Sequence, residues 1–391
     1  MKKVGIITSN TSFTNNYGAV LQCYALCEQL KKWGFEPYVI NYSYINDNKK
    51  VTTFSQANRT LMAKLAYVFT SDITFLQKVQ YRLKRKKRNE LKNGFVSFYK
   101  KHLRFHCEHP ETFEELKKHP PMYPFFITGS DQVWNPLIHG NQNDPGCFLQ
   151  FAPVSSKRIA YAPSFGIKNY SMEFYATLKQ YLNTFDFISV REKEGADLIE
   201  KVCGTRPPVV LDPTLMADPD VYAPIANVDI SLPKRYILCY RFGKMSYSKK
   251  VIKKISKKMA LPIIELPLSI ESYMKGSRLC YDIDPSRFIS AIKGAKLVLT
   301  DSFHCTVFSV LTHTPFYTFL RQSSNDKNNM NGRLIELLKT LGLLNRLIYS
   351  ADEFHFSKDE AIHVNFEQSE NVLRIQREES QAYLKRAMGM E

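Results

Sequence analysis

Val4-Gly5-Ile6-Ile7-Thr8, a polar loop from Ser9 to Gly18, the apolar set Val20, Leu21, Tyr24, Cys27 and Leu30, then Gly34 and Pro37 to Tyr42: these first 42 residues decide the fold. The opening five read as a short strand of the type buried on both faces. The apolar set recurs at helical spacing, and Gly34 is placed to end the helix as its C′ residue. Pro37 to Tyr42 reads as the next strand. A strand, a helix and a second strand in so short a span make a βαβ unit, which requires a parallel sheet with helices on its faces.

Outward from that unit, residues 43 to about 118 are basic, helical in pattern and poor in β runs. Phe75, Leu76, Val79 and Leu83 form an apolar stripe beside the charged block Lys84 to Arg88. This segment reads as a helical insertion, with a membrane surface as one place for it to lie. Alternation then resumes. Strands are expected at Phe125–Thr128, Arg158–Ala162, Phe187–Val190 and Val209–Leu211, with helices at Met172–Leu182 and Glu192–Val202. Pro213, Pro219, Pro224 and Pro233 mark a linker. A second run follows, with strands at Tyr236–Tyr240, Ile263–Leu266, Leu297–Thr300 and Phe316–Phe319. Its helices are expected at about 246–259, 286–294, 304–312 and 332–340. A long helix from Val364 to Met388 is expected to pack back on the first half. The expected organisation is α/β: a Rossmann-like domain over 1–215 with its insertion at about 43–118, a second over 234–363, and a closing helix over 364–391. Two doubly wound units bind ligand in the crevice at the carboxyl ends of their strands, so functional residues should follow strands.

Composition fits this. The 391 residues are 44% hydrophobic and 13% aromatic, enough for two cores and against global disorder. No secretory leader is read at the start, because the apolar run Val4–Ile7 is too short. The longest spanning candidate, Leu61 to Leu76, holds Lys64 and Asp72. Eight scattered cysteines with no C-x-x-C fit a reducing compartment, so a cytoplasmic location is expected. Cys23 and Cys27 sit one helical turn apart and read as core thiols rather than half of a metal site. The net charge is +17, and Lys78 to Lys92 carries eight Lys or Arg against Glu90 alone. That run is either a solvated helix face or an attractor of phosphates, on nucleic acid, anionic lipid or substrate.

Three segments after strands can carry chemistry. In Thr128-Gly129-Ser130-Asp131-Gln132-Val133-Trp134-Asn135, Gly129 permits a sharp turn, Asp131 presents a carboxylate and Trp134 an aromatic face, together a sugar-holding pair. The plainer reading makes Asp131 a cap. In Thr300-Asp301-Ser302-Phe303-His304, a strand runs into a helix whose N-terminus suits phosphate or carboxylate, and His304 adds a proton donor or a cation. A lone histidine there is also a common packing residue. The loop Asn15-Asn16-Tyr17-Gly18-Ala19 is either a ligand-contacting backbone or a plain turn; neither a dinucleotide fingerprint nor a P-loop is present. Arg191, Arg241 and Arg321 follow strands and Arg333 opens a helix, all suited to pairing an anionic substrate. Asp282-Ile283-Asp284 precedes Pro285 and reads as a turn or cap rather than a metal site.

At these residues the chain resembles the polysaccharide pyruvyl transferase family. The matching segments are Asn16 to Gln22 with Tyr24-Ala25-Leu26, Gly129 to Asn135, Ile188 to Glu192, Leu211 to Thr214, and Thr300 to His304. The resemblance runs from residue 1 to about 345 and implies a fold similar to GT-B glycosyltransferases, two Rossmann-like domains facing a central cleft. It implies transfer of the enolpyruvyl group of phosphoenolpyruvate onto two hydroxyls of a hexose, giving a cyclic ketal. No metal or cofactor is then expected beyond phosphoenolpyruvate as co-substrate. By analogy the second domain holds the donor, through Ser302, Phe303, Arg241, Arg321 and Arg333. The first holds the acceptor, through Asn16, Tyr17, Gly18, Gly129, Ser130, Trp134, Asn135 and Arg191. His304 is expected to serve donor phosphate or proton delivery, and Asp131 to position or deprotonate the acceptor hydroxyl. Many family members carry Arg where Ser302 stands. A lipid-linked cell-surface glycan precursor as acceptor would place the protein at the inner membrane face through residues 78–92; nucleic acid is not an expected partner. A glycosyltransferase using a nucleotide sugar is the alternative, and a non-enzymatic membrane or nucleic-acid binder is the third reading.

Overall fold

The structure, a computed structural model, describes residues 1–9, 15–44, 82–166, 170, 172–243, 246–267, 277–321 and 331–390. In the first half the chain runs β1 (Lys2–Ile7), α1 (Tyr17–Lys32), β2 (Phe35–Val39), α2 (Arg85–His102), α3 (Phe113–Lys118), β3 (Phe125–Thr128), β4 (Lys157–Ala160), α4 (Met172–Leu182), β5 (Phe187–Ile188), α5 (Lys193–Cys203) and α6 (Pro213–Met216). The second half runs β6 (Ile237–Tyr240), α7 (Ser246–Met259), β7 (Ile263–Glu265), β8 (Arg278–Leu279), α8 (Pro285–Lys293), β9 (Leu297–Thr300), α9 (Phe303–Leu311), β10 (Phe316–Phe319), α10 (Gly332–Thr340), β11 (Leu347–Ile348), α11 (Lys358–Ile362) and α12 (Glu367–Ala387).

Two wholly parallel sheets result, ordered β2-β1-β3-β4-β5 and β11-β10-β9-β6-β7-β8. Each sheet reverses its winding direction once, between β1 and β3 and between β6 and β9. The loops leaving those strand pairs must diverge, and the crevice they open is where doubly wound sheets take ligand. Ile7 pairs with Thr128 and Tyr240 with Thr300, so each pair of strands releases its loops at one level.

α1 forms because Asn16 caps it, its side-chain oxygen accepting the Gly18 N–H, and because Gly34 ends it at φ +86°. Nearly every residue from Tyr17 to Leu30 is buried, so α1 has no solvent face. It is the wedge between the halves: Tyr17 stacks on Phe288 at 4.3 Å and donates its hydroxyl to the Ile283 carbonyl. Tyr17 is therefore interface core, which corrects its assignment to acceptor binding. Cys23 and Cys27 are buried thiols, as expected.

The insertion differs from its expected role. Phe75, Leu76 and Val79 lie outside the described residues, and Leu83 is exposed. α2 turns its own apolar face inward, with Leu91, Phe95, Phe98 and Tyr99 buried against Tyr17 and Tyr24. Gly94 sits so close to Asp284 that a Cβ there would lie 2.9 Å from that side chain. The apolar face of α2 thus serves the joint between the halves, and its basic N-terminal turn faces solvent together with the polar outer side that carries Lys92, Asn93, Ser97, Lys100 and Lys101. Val209–Leu211 is no strand; Val209 makes a single bridge to Val190. The closing helix packs back on the first half as expected. Ser380 accepts the Leu211 N–H, Arg377 donates to the Leu215 carbonyl, and Gln381 donates to Met216 and Asp218.

Candidate active site

The carboxyl edges of the two sheets meet at a buried carboxylate. Asp212 caps α6, accepting the Thr214 N–H at 3.0 Å and its hydroxyl at 2.7 Å on one oxygen. The other oxygen accepts Ser130 Oγ at 2.7 Å and Arg191 Nη1 at 2.9 Å, with His304 Nε2 at 3.5 Å. Burial alone would raise its pKa. The His304 and Arg191 charges with the Thr214 bond outweigh that and hold it well below the usual carboxylate range. Asp212 already takes four hydrogen bonds, so the longer His304 contact orients the imidazole without tying up its proton.

His304 stands in the first turn of α9, whose cap is Ser302: its Oγ accepts the Cys305 N–H. Ser302 is thus a helix cap, not a donor contact. The imidazole is 6% exposed and lies against Gly18. A Cβ at Gly18 would fall 2.1 Å from its Nδ1, so only glycine lets the two helix N-termini approach this closely. Asn16 and Gly18 therefore act on the site by building it, one as the α1 cap and the other as the seat of the histidine.

Gly129 and Ser130 carry β3 into the site. The Gly129 N–H donates to the Ile7 carbonyl, and Ser130 is spent on Asp212. Asp131 then takes φ +65°, a left-handed conformation that Asp tolerates better than most residues. It aims Oδ1 at Arg191 Nη2 (3.5 Å) and Arg333 Nη1 (3.6 Å). Arg191 also lies 3.5 Å from Glu192 and stacks its guanidinium over Phe303 at 4.9 Å. Burial works against its charge, but Glu192, Asp212 and Asp131 outweigh it and raise its pKa. Arg333 is pushed down to about 10 by burial and by the neighbouring Arg191.

A cavity of about 380 Å³ opens on this cluster, walled by Arg191, Glu192, Asp212, Phe303 and Arg333 and by apolar side chains such as Val210 and Leu337. Buried nitrogens of Arg191 (Nε, Nη2), Arg333 (Nε) and His304 (Nε2), and Glu192 Oε2, have no hydrogen-bond partner among the described residues. Buried polar atoms are normally paired, so this concentration marks a ligand surface.

Three expected site residues, Trp134, Asn135 and Arg241, lie elsewhere, and a fourth, Arg321, stands at the edge. Trp134 is buried, stacked on Phe148 at 4.7 Å and donating Nε1–H to the Cys147 carbonyl, so it offers no face to a sugar. Asn135 folds its side chain onto the Leu137 N–H and is buried. Arg241 is buried in an ion pair with Glu265 at 2.6 Å, which corrects its assignment to the donor. Arg321 lies over Phe242 at 4.4 Å and donates to the Asp301 carbonyl; it flanks the cavity wall beside Phe303 and Arg333. Asp284 caps α8, as read from sequence. For a metal, the described residues offer His139, Asp144 and Cys147, buried and with ligand atoms within 4.8 Å, but none lines the cavity. Asp212 and Glu192, central to the site, drew no role from the sequence. Asp212 falls there in the family-matching segment Leu211 to Thr214, just before the Pro213 that opens the expected linker, although it follows a strand-like run as a site residue should.

Two parallel doubly wound sheets, abutting at their carboxyl edges around an ionic cluster and a cavity, define a two-domain Rossmann-like protein. The sequence pattern of the polysaccharide pyruvyl transferase family matches residues 16–323, and the chain belongs to that family: it is a transferase of polysaccharide biosynthesis. Among solved structures it is similar to UDP-GlcNAc 2-epimerase from Methanocaldococcus jannaschii (13% identity, 96% of this chain and 99% of that one, TM-score 0.42). It is also similar to Acinetobacter baumannii MurG (9% identity, 100% of both chains, TM-score 0.41) and to E. coli heptosyltransferase WaaC with ADP (9% identity, 90% and 93%, TM-score 0.36). Comparison with curated proteins returns no match.

Proposed function

We propose that this protein moves the enolpyruvyl group of phosphoenolpyruvate onto two hydroxyls of a hexose in a cell-surface polysaccharide precursor, closing a cyclic pyruvate ketal. The observation that carries this reading is that Arg191 and Arg333 wall one cavity, with His304 behind it 3.5 Å from Asp212, and that all three carry unpartnered buried nitrogens among the described residues. A donor bearing a carboxylate and a phosphate needs cations and a proton source in one place. Ser302 removes one family arginine, and Arg333 from α10 supports the reading by supplying a guanidinium beside Phe303.

In this reading His304 gives its proton to the donor methylene, which becomes the methyl group. Positive charge develops at the adjacent carbon, and an acceptor hydroxyl attacks it as Asp131 takes the hydroxyl proton. Phosphate leaves, and the second hydroxyl closes the ring and releases its own proton. Asp212, 3.5 Å from Nε2, holds the imidazole in place between turnovers. The acceptor is a lipid-linked precursor at the inner membrane face, met by the basic start of α2.

The test is phosphoenolpyruvate-dependent phosphate release with a panel of sugar acceptors, alongside thermal shifts with phosphoenolpyruvate and nucleotide sugars. Release of phosphate with ketal formation is expected, reduced by about 10²–10⁴-fold in His304→Ala. Stabilisation by nucleotide sugars alone would replace this reading with glycosyl transfer.

A further inference from the structure

We infer that Asp131 is a built-in counter-anion: in the free protein its carboxylate occupies an oxyanion subsite between Arg191 and Arg333, and an oxyanion of the donor displaces it. This rests on the reading above only for the donor's identity; the subsite itself stands on geometry. One oxygen, Oδ1, faces both guanidiniums, at 3.5 Å and 3.6 Å. Charge-assisted bonds between such groups normally close to about 2.7–2.9 Å, so the carboxylate spans the gap without filling it. Three nitrogens of the two guanidiniums, Arg191 Nε and Nη2 and Arg333 Nε, are buried with no hydrogen-bond partner among the described residues. A tetrahedral or planar oxyanion offers the several acceptors that a single carboxylate oxygen cannot.

The other acids nearby do not complete the site. Asp212 is saturated by Ser130, Thr214 and Arg191. Glu192 holds the Ser164 hydroxyl with one oxygen and lies 3.5 Å from Arg191 Nε with the other. Arg333 is left with Asp131 at 3.6 Å as its one ion pair among the described residues, while Arg191 repels it. Both arginines and Phe303 wall the cavity, so an incoming anion reaches them directly. Displacement has a consequence for the reaction: the donor's charge takes over the two arginines and frees Asp131 to meet the acceptor hydroxyl. Binding is then ordered, donor first.

Asp131→Asn is the discriminating variant, because Asn tolerates the left-handed backbone as Asp does. Calorimetric titrations with inorganic phosphate and, separately, with pyruvate would compare wild type, Asp131→Asn and Arg333→Gln, each checked for an unchanged melting transition. Removing the resident charge is expected to tighten anion binding by roughly five- to tenfold, and Arg333→Gln to weaken it by about tenfold. Tightening confined to phosphate assigns the subsite to the phosphoryl group, and confined to pyruvate to the carboxylate. Equal or weaker binding by Asp131→Asn, wild-type affinity in Arg333→Gln, or no binding by any of the three overturns the inference. Phosphate release from phosphoenolpyruvate without the Asp131→Asn gain leaves the pyruvyl reading standing and this one fallen. Tightened phosphate binding without turnover does the reverse.

Discussion

At the residue scale the site is organised by Asp212, a carboxylate that touches no solvent. Its two oxygens gather Ser130 from β3, Arg191 after β5, Thr214 from α6 and His304 from α9, so four separate segments are held by one charge. Breaking a buried pair strands the partner charge, and Asp212→Asn is expected to cost about 3–5 kcal/mol of stability. The pH dependence carries a sign. The folded pKa lies below the unfolded value of about 3.9, so the stabilisation is complete above that pH and is lost as pH falls below it. Melting temperatures between about pH 5 and 2 should therefore fall more steeply for wild type than for Asp212→Asn. Equal slopes would remove Asp212 from the centre of the network.

At the element scale α1 tests whether a glycine serves packing or the backbone. Gly18→Ala must displace the His304 ring, since its Cβ would lie 2.1 Å from Nδ1 and 2.5 Å from Cγ. It is expected to lose turnover as His304→Ala does and about 1–3 kcal/mol of stability. Gly34→Ala meets no atom within 4 Å and strains only φ, at +86°. About 1 kcal/mol of stability and no turnover should be lost there. Matched melting and turnover measurements on the two variants separate the roles. Elements defined by their own periodicity were legible: α4, α7, β3, β9 and β10 fall where the pattern puts them. Val209–Leu211 has the composition of a strand but only one bridge, because strand formation needs a neighbour and composition does not supply one. Trp134 was misread for a related reason. Its polar sequence surroundings say exposure, yet Phe148, Phe165 and Phe185 close over it from three distant segments.

At the scale of the whole molecule, the two halves are joined by elements that belong to one and pack on the other. α1 brings Tyr17 to Ile283 and Phe288, α2 sets Gly94 against Asp284, and α12 returns to hydrogen-bond residues 211–218 around Asp212. Because α2 spends its apolar face on that joint, its basic end can act on a surface only through charge. No helix among the described residues is long and apolar enough to cross a membrane. Lys84 to Lys87 are exposed, and cations beside an anionic surface contribute about 1 kcal/mol each. Replacing Lys84 to Arg88 by Ser should weaken binding to phosphatidylserine-containing vesicles by about tenfold or more, and leave turnover of a soluble acceptor unchanged. Unaltered vesicle binding would make the run a solvated helix face.

The sequence by itself determined the parallel α/β architecture, the two halves, the helix cap at Asp284, and the post-strand positions of Asp131, Arg191 and His304. Each of these follows from local periodicity, turn chemistry or chain direction, all carried by neighbouring residues. Only the tertiary structure decided which charges remain for a ligand. Arg241 and Arg333 look alike in sequence, but Glu265, 24 positions on, pairs with the first, while the second reaches the cavity with one distant carboxylate. A guanidinium's availability depends on which carboxylate folding brings to it, and no local pattern records that. The same holds for His304, whose contact with Asp212 spans the two halves of the chain.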